Sequence, residues 1–233
     1  MDHNTPASAT PYATVLTGAD ARSAEVSKLL KNTYMLLSAT LLFSALMAFV
    51  GIQFAPTPSP IITLIGALGL LFAVHKTAES AAGLALVFAF TGWMGFWLAP
   101  LLNIMLAKAS GGQIVLQALG GTGLIFLSLS AYVLNSRKDF SFMRGFLFVG
   151  LMVVFFSSLA MLAASYFGWY MPMLSLALSA ACVLLFSAFI LYDTSNILNG
   201  GETNYIRATV SLYLNIYNIF ANLLILLGVT SDD

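Results

Sequence analysis

The chain has 233 residues, of which 60% are hydrophobic and 8% charged, and its nine basic and nine acidic side chains cancel. A soluble domain carries about 25% charged residues, so this composition excludes a water-soluble globular fold. With no basic block, it also gives no sign of a nucleic-acid partner.

Mean hydropathy is +0.93. Apolar runs approach the ~20 residues that a helix needs to cross a ~30 Å hydrocarbon layer, and they lack the alternation of a membrane barrel. The expected class is therefore an all-α membrane protein, a seven-transmembrane-helix bundle. Residues 1–25 are polar and lack the basic start and apolar core of a cleavable signal, so they read as a disordered cytoplasmic tail ahead of a transmembrane domain over 26–233. The first span is expected at 33–52, after Lys28 and Lys31. The Pro-rich "APTPSP" leads to a second at 61–74, and a third at 82–98 ends before Pro100. "LAKASGG" separates it from a fourth at 114–134, and "NSRKDFS" precedes a fifth at 142–167. "GWYMP" opens a sixth at 173–197, and "NGGETNY" joins it to a seventh at 207–229. The one cysteine, Cys182, lies inside the sixth and reads as a small apolar residue.

Basic residues orient the chain. A cytoplasmic N-terminus puts Arg22, Lys28, Lys31, Lys76, Arg137, Lys138, Arg144 and Arg207 inside and only Lys108 outside, with the C-terminus periplasmic. Small residues are the expected close-approach surfaces between helices: "ALGGTG" at 118–123, Gly145 with Gly150, and Ser175, Ala177, Ser179 and Ala181.

Polar chemistry enters at two places. On the seventh span, Arg207, Ser211, Asn215, Asn218 and Asn222 are spaced 4, 4, 3 and 4, which at 100° per residue makes one narrow stripe. Side-chain amides find no partner in hydrocarbon, so the stripe must face other helices or a wet cavity, and the seventh helix is expected to be central. Interhelical hydrogen bonding and the lining of a polar pathway through Ser211, Asn218 and Asn222 both fit. Asp193 is the one acid within these spans. An ionisable group there marks a functional site or a helix latch, with Asn215 as its foremost partner and Arg207 and Lys76 as candidate cations. There is no zinc-type ligand spacing, no nucleophile-and-base motif and no phosphate loop, so neither enzymatic activity nor a cofactor is expected.

"AFILYDTSNIL" followed by "SLYLNIYNIFANLLILLG" resembles the end signature of the Bax inhibitor-1 family, and "RKDFSF" before the fifth span is similar to it too. "GGETNYIRATVSLY" and "KNTYMLLSATL" look like the family's bacterial YccA branch. The resemblance implies a seven-helix bundle of the bacterial inner membrane with the last helix in the middle. For the YccA branch it implies a modulator, and slow substrate, of the membrane AAA protease FtsH. Channel-forming members imply an alternative, a pH-sensitive calcium or cation leak governed by two aspartates and an arginine. Asp193 matches the first aspartate, but Asn215 stands at the second, and no arginine matches cleanly, with Lys76 nearby. Two close carboxylates share a proton, which an aspartate facing an amide does not. Calcium also favours several oxygens with more than one negative charge, so a calcium site at Asp193 is expected to be poorer here.

Overall fold

The computed structural model describes residues 11–54, 57, 59–169 and 171–230. Their helices are α1 (Pro11–Phe54), α2 (Pro60–Thr77), α3 (Ala81–Leu106), α4 (Gly111–Ser136), α5 (Arg144–Tyr166), α6 (Pro172–Leu198) and α7 (Tyr205–Thr230), with a single 3₁₀ turn (Ser141–Met143) before α5. Seven are long and apolar enough to cross a membrane. Prolines at the first positions of α2 and α6 suit helix starts, where the missing N–H has no intrahelical role.

Two expectations about element ends need correction. Residues 11–25, expected in a disordered tail, are the first turns of α1, while residues 1–10 lie outside the described residues. No proline interrupts the chain between Pro11 and the first span, and Ala, Glu, Lys and Leu are good helix formers. Polarity here marks a helix running on past the apolar segment. Nor does α3 stop before Pro100; it continues to Leu106. The ring of Pro100 removes the donor that Phe96 O would otherwise accept. That carbonyl instead faces Gly51 of α1, where a Cβ would stand 2.6 Å away.

Helix α7 packs against α1, α2, α3, α4 and α6, so it is the central helix of the bundle. Helix α5 is peripheral: among the described residues it touches α6 and the 3₁₀ turn but not α7. Its Phe146, Phe148, Val149, Val153 and Phe156 point outward and exposed, as side chains facing lipid do. The main core joins Leu37, Val74, Phe90, Ile190 and Tyr213, and a second cluster gathers Ala48, Leu98, Met105, Ile114 and Leu224.

The tightest approach is not where small residues were expected. Helices α1 and α3 are drawn together at Gly95, whose missing side chain would overlap the Ser44 carbonyl. By contrast, Gly120, Gly123 and Gly145 face open space, and Ala177 and Ala181 are exposed. Of that set, Ala118 and Ser179 are buried, Gly121 meets Leu223 and Gly150 meets Leu185 closely. Small residues permit close approach but do not say which neighbour makes it.

Candidate functional site

The site is built on the last two turns of α6 and the facing side of α7. Helix α6 ends in a Schellman motif: Gly200, at φ +77°, donates to Ile197 O at 3.3 Å, and Gly201 donates to Asn196 O at 2.9 Å. The next helix begins at once. Asn204 caps it by accepting from Ile206 N at 2.9 Å and Arg207 N at 3.2 Å. The amide of Asn204 also donates to Ala78 O at 2.9 Å, tying the α6–α7 connection to the α2–α3 connection. Glu202 accepts from the backbone N–H groups of Thr203 and Asn204, at 2.9 and 2.8 Å. Two helices leaving a short connection whose backbone N–H groups are bonded keep a fixed register.

That register sets Asn215 opposite Asp193, and the Asn215 amide donates to Asp193 Oδ2 at 2.7 Å. A carboxylate only accepts, so the contact fixes which end of the amide faces it. The other carboxylate oxygen has no protein partner among the described residues. Asp193 borders a cavity of about 680 Å³ between α5, α6 and α7. Ser211, Asn218 and Asn222 line the same cavity, so the stripe expected from spacing shares one wall with Asp193. Asn218 donates to Leu214 O and Asn222 to Asn218 O, each at 2.8 Å. Both amides are thus bonded back to α7 itself, which lowers the cost of placing them at membrane depth. The remaining wall is largely apolar, with Leu151, Val154 and Phe155 of α5 and Phe186 and Phe189 of α6. The cavity exists because α5 stands off from α7.

The two cations considered for Asp193 lie elsewhere. Arg207, half-buried, faces the exposed Glu79 at 3.7 Å, and Lys76 is exposed at the end of α2. Neither borders the cavity. Among the described residues no three of His, Cys, Asp and Glu cluster to hold a metal ion.

The segment around Asp193 also carries contacts that spacing alone does not show. In "DTSN" each of the first three side chains reaches a different neighbour. Asp193 holds α7, and the Thr194 hydroxyl faces Ser130 of α4 at 3.4 Å. Ser195 accepts from Phe140 N at 2.9 Å and donates to Lys138 O at 3.3 Å, gripping the α4–α5 connection. In that connection Asp139 accepts from Ser141 N at 2.8 Å, which holds its carboxyl below the ordinary value of 3.8. On the opposite side of α7, Tyr213 is fully buried, its hydroxyl 2.7 Å from Ser44 Oγ and 3.2 Å from Thr91 O. Thr209, one turn earlier, donates to Tyr205 O at 2.7 Å and approaches Thr33 O at 3.2 Å. The i, i+4 spacing of Thr209 and Tyr213 was a signal for this second polar face. Thus α7 is bonded on one side to α1 and α3 and on the other to α6.

A family model described as inhibitor of apoptosis-promoting Bax1 matches residues 26–232. The chain is 49% identical over 207 residues to a protein of Escherichia coli strain K12 named modulator of FtsH protease YccA, covering 88% of this chain and 92% of that one. It is equally similar to the inner membrane protein YccA of Escherichia coli O6:H1. A membrane protein of Vibrio cholerae is 47% identical over 216 residues, covering 91% of this chain and 94% of its own.

Proposed function

The chain belongs to the Bax1-I family, and from that membership we propose that it is a multi-pass inner-membrane protein that modulates the membrane AAA protease FtsH and is itself degraded slowly by it. The observation that carries this reading is the similarity to YccA over 88% of the chain, beside a family match that runs over residues 26–232. In this reading the modulation works through binding, and slow turnover follows if the bundle resists extraction. The buried Tyr213–Ser44 and Asn215–Asp193 bonds supply that resistance by fastening the central helix to both halves of the molecule. By the positive-inside reading the N-terminus is cytoplasmic, on the side where such a protease would engage a polar segment. Co-isolation with FtsH from membranes tests the reading. Recovery of the protease with the chain is expected, and its absence under crosslinking would remove the proposal.

A second reading, a cation or proton leak, is favoured by one observation: Asp193 and the serine–asparagine stripe border the same cavity. One carboxylate among amides suits a proton or monovalent cation better than calcium, which takes six to eight oxygens. Flux into liposomes holding the purified chain tests this. The leak predicts a current that Asp193→Asn reduces at least tenfold, and a flux indifferent to that change would exclude the mechanism.

A further inference from the structure

A second cavity, separate from Asp193, lies at the end of the bundle where α1 enters and α4 and α6 finish. It measures about 840 Å³ and is bordered by Arg22 and Ser27 of α1, Arg137 at the end of α4, and Asn199 closing α6. Towards the bundle its wall is apolar, formed by Val26, Leu30, Leu134 and Leu198. No acidic side chain borders it among the described residues.

The two guanidinium groups are underused by the fold. Arg22 donates through Nη2 to Asn199 O at 3.3 Å, a contact that helps close α6, and its remaining donors meet no acceptor among the described residues. The Arg137 side chain has no hydrogen-bond or ion-pair partner among them. Its backbone is also notable: Arg137 closes α4 at φ +51°, donating to Val133 O at 2.8 Å, a conformation that glycine adopts without cost. An arginine held in that conformation, facing a cavity that no acidic side chain borders among the described residues, points to a role outside the packing. Arg22 and Arg137 are the two charged side chains that border the cavity among the described residues. A guanidinium is planar and matches phosphate oxygens two at a time. Basic pockets between transmembrane helices at the membrane boundary take anionic headgroups.

We propose that this cavity binds the headgroup of an anionic phospholipid. The phosphate sits between Arg22 and Arg137, within reach of the Ser27 hydroxyl, and the acyl chains start down the wall of Val26, Leu30 and Leu134. A free phosphate shares the anion chemistry but gains nothing from that apolar wall, which is why the lipid is the assigned ligand.

The test uses the full chain, purified in mild detergent and stripped of lipid, with its thermal midpoint followed against added ligand. Short-chain phosphatidylglycerol is expected to raise the midpoint saturably. Phosphatidylcholine and inorganic phosphate are expected not to. Arg137→Gly suits the positive φ, so it is expected to keep or raise the lipid-free midpoint while weakening the phosphatidylglycerol response roughly fivefold. Arg22→Gln is expected to weaken it by a similar factor. Arg207→Gln, which removes a charge outside the cavity, is expected to leave it unchanged. An undiminished response in both Arg22→Gln and Arg137→Gly would overturn the proposal. Equal stabilisation by inorganic phosphate would overturn the lipid assignment in favour of a soluble anion.

Discussion

Asp193 is held through one carboxylate oxygen by a single amide on the neighbouring helix, and the residue borders a cavity. Within a membrane such a bond contributes about 0.6 kcal/mol on average and up to about 1.7 kcal/mol. Asn215→Ala is accordingly expected to lower the unfolding free energy in mixed micelles by about 0.6–1.7 kcal/mol. Combined with Asp193→Ala it is expected to cost less than the sum of the two single changes, because each removes the same bond. Additive costs would mean that the two residues do not cooperate. This pairing was legible in the sequence because charges are so rare within the spans and the asparagines keep a helical period. The roles of Thr194 and Ser195 were not legible. Hydroxyls are common in membrane helices, and nothing in their spacing says which neighbour they meet. Arg207 went to Glu79 for a similar reason: its partner sits in the α2–α3 connection, whose path no periodicity describes.

Among the helices, the order of the spans and the central place of α7 followed from apolar length and from the polar stripe. The ends did not follow. Proline stops a helix in water, but Pro100 is tolerated because Gly51 lets a neighbouring helix cover the carbonyl it leaves unbonded. The glycine-rich stretch in α4 was one of the expected close-approach surfaces, yet a closer approach is at Gly95, since the choice depends on how two helices cross. This difference is measurable. Gly95→Ala places a methyl against backbone that cannot move aside, and overpacking of that kind costs about 1–3 kcal/mol. Gly120→Ala meets nothing within 4 Å and is expected to be neutral or stabilising, by up to about 1 kcal/mol. Unfolding of the two variants in mixed micelles checks the contrast. A benign Gly95→Ala would mean that α1 and α3 do not pack as described.

The whole molecule is a bundle fastened through its last helix, with α1 and α3 on one side, α6 on the other, and α5 standing outside a polar-floored cavity. Family membership and the likeness to YccA direct the account to the protease FtsH. The most direct test is the half-life of a membrane substrate of FtsH in proteoliposomes, measured with and without equimolar purified chain. The account predicts that the chain lengthens the half-life at least twofold while being degraded more slowly than the substrate. An unchanged half-life, with the chain verified as inserted and folded, would contradict it.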